Sequence, residues 1–101
     1  ILSAAGYQVT LAADGEQAWQ LLTKESFDVL ISDVKMPVLD GLALTRRARS
    51  DERFSDLPII LVTSLASDAD REAGVVAGAD EYVVKGKFDQ HALIELVSKY
   101  L

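Results

Sequence analysis

Three residues of unlike chemistry each follow an apolar run in this 101-residue chain: Asp33 after Phe27–Ser32, Thr63 after Pro58–Val62, and Lys85 after Tyr82–Val84. A carboxylate can act as nucleophile or metal ligand, and an ammonium can neutralise an anion. A hydroxyl can donate to an oxygen of that anion. Together they suit phosphoryl transfer, which asks mainly for positioning and charge neutralisation, usually with Mg²⁺. Singly, each has an ordinary reading. Asp favours turns for local reasons, a lysine after a strand is most often a solvated edge charge, and a Thr at a strand end is common. Only the joint pattern is specific, and it requires a scaffold that brings the three to one place.

The hydrophobic pattern supplies such a scaffold. Ile1–Ala5 before Gly6 reads as the last turn of a helix with a glycine just past its end. Tyr7–Ala13 carries Val9 and Leu11 at strand spacing, Asp14-Gly15 turns the chain, and Ala18, Leu21 and Leu22 make Glu16–Lys24 a helix. Phe27–Asp33 and Pro58–Ser64 are apolar runs suited to strands buried on both faces, with Pro58 tolerated as a first strand residue. Between them lie a Met36–Gly41 loop and a Leu42–Arg49 helix with Leu44 and Ala48 facing inward. Ser67 with Asp70 is a capping-box-like start for a helix that ends at Gly78. Tyr82–Lys85 is a short strand, and Asp89 can cap a last helix whose stripe is Leu93, Leu96, Val97, Tyr100 and Leu101. Strands alternating with helices imply right-handed crossovers and a parallel sheet covered on both faces. Ligands of such sheets sit at the carboxyl ends of the strands, where Asp33, Thr63 and Lys85 are expected.

Composition narrows the field further. Half of the residues are apolar and 26% charged, which suits one globular domain and no disordered chain. With no cysteine there is neither a disulfide framework nor a thiolate metal site. Sixteen acidic residues against ten basic ones, a net charge of −6, argue against direct binding of nucleic acid. The longest uninterrupted apolar run, Ile59–Val62, is far short of a membrane helix, so a cytoplasmic protein is expected. The sequence opens on Ile1 with no Met and no signal-peptide pattern, as though its beginning lay elsewhere.

The run Asp33-Val34-Lys35-Met36-Pro37-Val38-Leu39-Asp40-Gly41 resembles the phosphoacceptor loop of two-component response regulator receiver domains. Met36-Pro37 and Asp40-Gly41 match the family's Met-Pro and Asp-Gly elements, and Ala77-Gly78-Ala79-Asp80 matches its helix-to-strand turn. Val62-Thr63-Ser64-Leu65 and Val84–Gln90 look most like receivers fused to chemotaxis-type hybrid histidine kinases. The resemblance implies a flavodoxin-like (CheY-like) three-layer α/β/α fold with a parallel sheet, here as a single domain over residues 1–101. It implies a phosphoacceptor that is not itself an enzyme. Asp33 would take a phosphoryl group from a histidine kinase or histidine phosphotransfer domain. Mg²⁺ would bridge the phosphoryl oxygens, Asp33 and the backbone carbonyl of Lys35. Lys85 would pair with the phosphoryl group, Thr63 would donate a hydrogen bond to it, and Tyr82 would turn inward. The surface of the family's fourth helix, fifth strand and fifth helix (α4-β5-α5) would change in response.

The sequence departs from the family in several places. The acidic pair that holds the metal belongs to a first strand that is not found here, so it is expected upstream of Ile1. That strand, a loop and most of the first helix come to roughly 15–20 residues. In a 2-1-3-4-5 order the slot would lie beside the Asp33 strand. The chain is then a fragment or the ordered part of a longer one, which is the favoured expectation, or another chain fills the slot by swapping, as in a homodimer, or the sheet rearranges. On this basis the 101 residues alone are expected neither to bind Mg²⁺ tightly nor to accept phosphate. Gly86 replaces the family's usual proline and should loosen the loop after Lys85. Lys35 and Leu65 offer no carboxylate or amide to orient a water, so loss of the phosphoryl group should be slow. His91 and Arg46, Arg47 and Arg49 read as solvated surface, and Trp19 as half-exposed packing.

Other functions fit less well. An Asp-nucleophile phosphatase of the haloacid-dehalogenase type wants a second Asp where Lys35 stands. A flavin or dinucleotide module wants a glycine-rich phosphate loop, and no G-x-G-x-x-G occurs. The serious rival is a pseudo-receiver, a partner-binding module that is never phosphorylated.

Overall fold

The computed structural model describes residues 6–8, 10–86 and 89–101, with Gln90 described by its backbone only. The chain runs α1 (Gly15–Lys24), β1 (Leu30–Ser32), α2 (Gly41–Arg49), a 3₁₀ turn η1 (Glu52–Phe54), β2 (Ile59–Thr63), α3 (Asp68–Ala77), β3 (Glu81–Val84) and α4 (Gln90–Lys99). Each α-helix starts where a short polar side chain satisfies a backbone N–H that the helix cannot. Asp14 accepts from the Gln17 N–H, Asp40 from Ala43 and Asp89 from Ala92, while Ser67 and Asp70 cap each other reciprocally. Each such cap stabilises its helix by about 1 kcal/mol. Gly78, at φ +107°, ends α3 in a left-handed conformation that a side chain would strain.

The three strands form one parallel sheet in the order β1-β2-β3. Alternation along β2 sends Ile59, Leu61 and Thr63 to one face and Ile60 to the other, and all four are buried. Burial on both faces means helices cover both, as the parallel arrangement requires. Ile59 and Leu61 pack with Val34 and Ala48, and Ala18, Leu22 and Leu44 form a second cluster beside them. Each fully buried aliphatic side chain stabilises the fold by about 1.5–3 kcal/mol. Helix α4 is tied to β3 at its far end, where the Tyr100 hydroxyl and the Lys99 ammonium both reach the Glu81 carboxylate. No helix among the described residues is long and apolar enough to cross a membrane.

The flavodoxin-like α/β fold is as expected, with corrections at its edges. Tyr7–Ala13 was expected as a strand, but its described residues form none, and Leu11 is exposed. A strand needs a hydrogen-bonded neighbour, and no described strand lies beside this segment. The Phe27 run becomes a strand only at Leu30, whose N–H donates to the Pro58 carbonyl, because β2 itself begins at Ile59. The last helix stops at Lys99, so Leu101 lies beyond the stripe and is exposed. Arg49 does not join a solvated face. It is folded against the protein, its guanidinium donating to the carbonyls of Phe54, Leu57 and Gly78 and to the Asp80 carboxylate. Trp19 is half-buried as expected, its ring edge-on to Phe54, and His91 is exposed beside Glu95. The expected helix end at Ile1–Ala5 lies outside the described residues.

Candidate functional site

The sheet register decides where the three candidate residues meet. Ser32 lies level with Leu61, and Thr63 with Val84, so Asp33, Thr63 and Lys85 all reach the carboxyl rim together. The ladder continues past β3, with the Lys85 N–H donating to the Thr63 carbonyl at 2.7 Å. The Lys85 ammonium then reaches across β2 to the Asp33 carboxylate, with Nζ 2.5 Å from Oδ2. The two are 52 residues apart in sequence and half-exposed at the rim. The other Asp33 oxygen, Oδ1, accepts from the Lys35 backbone N–H at 3.3 Å.

The loop that carries Asp33 is held from three sides. The Gly41 N–H donates to the Val34 carbonyl at 2.8 Å, and the Ser32 hydroxyl donates to the Asp33 carbonyl at the same distance. Gly41 fits against the Asp33 carbonyl so closely that a β-carbon there would lie 2.1 Å from its oxygen. Gly15 approaches the Leu39 carbonyl still more tightly, where a β-carbon would lie 1.8 Å from the oxygen. Asp-Gly reads in the sequence as turn chemistry, and this steric role is invisible there. Ser32 has no sequence signal beyond its place in the strand.

Thr63 is buried, and its Oγ1 accepts from the Leu65 N–H at 3.1 Å. The Leu65 carbonyl in turn accepts from the Tyr82 hydroxyl at 2.9 Å. The Tyr82 ring lies against Gly74, where a β-carbon would come within 2.6 Å of it. Burial, and after it the charge of Asp70, pushes the Tyr82 phenol up. Gly86 takes φ +86°, a backbone conformation closed to proline. Beside Asp33 lies an open hollow of about 570 Å³ lined by Val34, Lys35, Met36, Pro37, Asp40 and Leu65.

The sequence pattern of the response regulator receiver domain matches residues 1–98. The chain belongs to that family. This receiver domain is 37% identical over 99 residues to a gliding motility regulatory protein of Myxococcus xanthus, covering 98% of this chain and 13% of that protein. It is 49% identical over 84 residues to a probable transcriptional regulator, ycf27, of Guillardia theta, covering 83% of this chain and 32% of that one. It thus spans only a minor part of either relative's length. Among solved structures it resembles the receiver domain of a sensor histidine kinase from Pseudomonas aeruginosa PAO1, with a TM-score of 0.88 and 36% identity, covering 98% of this chain and 80% of that one. That neighbour was crystallised with a magnesium ion coordinated in its active site cleft.

In this receiver domain no three Asp, Glu, His or Cys side chains among the described residues come together to hold a metal. Asp33 offers one carboxylate, and Lys85 already occupies one of its oxygens. Magnesium demands near-octahedral oxygen ligation and seldom gives up its waters for a single carboxylate. The described residues therefore do not fit a tight magnesium site by themselves.

Proposed function

We propose that Asp33 is the phosphoacceptor of this receiver domain, within a two-component signalling protein. The observation that carries the reading is the Lys85–Asp33 contact at 2.5 Å, which sets a fixed cation beside a half-exposed carboxylate at the strand rim. A phosphohistidine donor would bring its phosphorus to a free Asp33 oxygen. The O–P bond forms as the P–N bond breaks, and the departing imidazole nitrogen keeps the electron pair and takes up a proton. Lys85 would move from the carboxylate to the new phosphoryl oxygens, where the greater negative charge lies. Thr63, one residue before the loop that holds Tyr82, would donate a hydrogen bond from its hydroxyl to the phosphoryl group. Tyr82 would read that movement on the surface of α3, β3 and α4. The partner is a histidine kinase or histidine phosphotransfer domain, and the likeness to a sensor-kinase receiver supports a hybrid-kinase setting.

The test is treatment of the native protein with acetyl phosphate and magnesium, followed by mass spectrometry of the peptide that contains Asp33. We expect one phosphoryl group on the wild type, none on Asp33→Asn, and slower uptake in Lys85→Ala. The 101 residues alone should label poorly, since the described residues assemble no acidic cluster for the metal. A native protein that never labels would make this a pseudo-receiver, and strong labelling of the 101-residue chain would refute the dependence on further carboxylates.

A further inference from the structure

These 101 residues hold a single sulfur atom, since they include one methionine, Met36, and no cysteine. Met36 stands three residues after Asp33 and is half-buried. It packs against the cluster of Ala18, Leu22 and Leu44, and it also lines the open hollow of about 570 Å³ described above. A residue at such a boundary is within reach of dissolved oxidants, and hydrogen peroxide is hardly larger than water.

The sulfur is also the second acceptor of a hydroxyl that holds the Asp33 loop. Ser32 is buried, and its one hydroxyl proton has two acceptors in reach: the Asp33 carbonyl oxygen at 2.8 Å and the Met36 sulfur at 3.8 Å. A thioether accepts only weakly, so the carbonyl makes the better bond. That balance depends on the chemical state of the sulfur. A sulfoxide is polar, its oxygen is a much stronger acceptor, and such a group sits badly in an apolar cluster.

We propose that Met36 is an oxidation-sensitive site that sets the hold on the Asp33 loop through Ser32. The oxidant class is a peroxide. The sulfur lone pair attacks one peroxide oxygen, an S–O bond forms and the O–O bond breaks. Sulfur gives up two electrons, and the departing hydroxide takes the proton of the transferred oxygen and leaves as water. The Ser32 hydroxyl then turns to the sulfoxide oxygen and releases the Asp33 carbonyl. One tie on the loop is lost, while the Gly41 N–H still donates to the Val34 carbonyl. A neutral hydrogen bond is worth a factor of about five, so the loop should open about five times more often. On the reading that Asp33 is the phosphoacceptor, its labelling should slow by a similar factor, because the loop sets where the carboxylate stands.

The test treats the native protein with hydrogen peroxide and follows it by peptide mass spectrometry. Met36 should gain one oxygen atom. Hydrogen exchange in the peptide spanning residues 33–41 should then quicken about fivefold, and acetyl phosphate labelling of Asp33 should slow about fivefold. Methionine sulfoxide reductases A and B together, one for each sulfoxide epimer, should restore both. Met36→Leu keeps the packing and leaves peroxide nothing to oxidise at this position, so neither readout should respond. Ser32→Ala removes the hydroxyl, so its exchange should be fast from the outset and oxidation should add nothing. A Met36 that peroxide leaves unmodified overturns the site, and so does full oxidation with unchanged exchange. An equal quickening in Ser32→Ala overturns the route through the hydroxyl and assigns the effect to the disturbed apolar cluster. If exchange responds as expected but Asp33 labels neither before nor after oxidation, the phosphoacceptor reading fails and the redox site stands.

Discussion

Gly41→Ala should uncouple the position of the Asp33 carboxylate from the rest of the fold. The new β-carbon would lie 2.1 Å from the Asp33 carbonyl oxygen and 3.0 Å from the Val34 Cα. Both are backbone, so no side chain can swing aside, and the Asp33–Val34 peptide must retreat by roughly 1 Å to reach ordinary contact. Overpacking of this kind costs about 1–3 kcal/mol. The Gly41–Val34 hydrogen bond stretches as the peptide moves, a further loss of about 1 kcal/mol. Removing glycine from the unfolded chain offsets about 0.4–1 kcal/mol. The net loss is about 2–3 kcal/mol, which with a urea slope near 2 kcal/mol/M lowers the midpoint by about 1–1.5 M. Because a 1 Å misplacement of a reacting group can cost about a hundredfold, acetyl phosphate labelling should fall by about that factor. Gly86→Ala is the contrast, since that residue has φ +86° but no neighbour within 4 Å of a β-carbon. It should lose about 1–2 kcal/mol through left-handed strain while labelling near the wild-type rate. If Gly41→Ala matches wild type in both urea midpoint and labelling, the loop is not held as described.

Arg49→Ala strips a charged donor from three carbonyls and leaves Asp80 with only the Ile59 N–H. With the half-exposed ion pair discounted for solvent, the loss is about 3 kcal/mol by urea unfolding, and Arg49→Lys, with one ammonium for three acceptors, should recover less than half. Tyr100 gives a pH dependence. Its hydrogen bond to Glu81, and then burial, push the phenol up to about 12. The stabilisation from this raised group is complete below its unfolded value near 10 and is lost as pH rises toward 12. Tyr100→Phe should therefore lower the urea midpoint at pH 8 and flatten its decline between pH 10 and 12, with Tyr82 accounting for the alkaline loss that remains.

The parts of this fold legible in the sequence are those decided within a turn or two of the chain. Asp14, Asp40, Ser67 and Asp89 announce helix starts because a cap reaches only two or three residues ahead. Ile59–Thr63 announces a buried strand because continuous apolar character has few other uses. Strand ends followed by Asp33, Thr63 and Lys85 were enough to place the rim, since parallel strands share a direction. The rest depends on partners that periodicity cannot name. Tyr7–Ala13 carries strand spacing, yet spacing supplies no hydrogen-bonding neighbour. Arg49 has the composition of a solvated face, and only the fold brings Gly78 and Asp80, about thirty residues on, within its reach. Val38, at φ +70°, reads as an ordinary loop residue, because strain resides in a dihedral angle and not in a residue type.

The two hydroxyls at Leu65 set a limit on what a signal at the rim could achieve. Thr63 Oγ1 accepts from the Leu65 N–H, and the Leu65 carbonyl accepts from Tyr82, so one residue links the rim to the aromatic ring. Thr63 spends a lone pair on Leu65, which leaves its proton available for an anion on Asp33. Donation would therefore not break the link but drag it, moving the Tyr82 acceptor along with the threonine. Each such neutral bond is worth about 1 kcal/mol net, so the pair transmits about 1–2 kcal/mol. That changes a population ratio by a factor of about 5 to 30. Driving a two-state element from 1:99 to 99:1 takes about 5.5 kcal/mol. A phosphoryl group acting through these bonds alone would thus bias Tyr82 without locking it. The balance has to come from charge: the release of Lys85 from Asp33 to a more highly charged group, or a partner that binds only one arrangement of α3, β3 and α4.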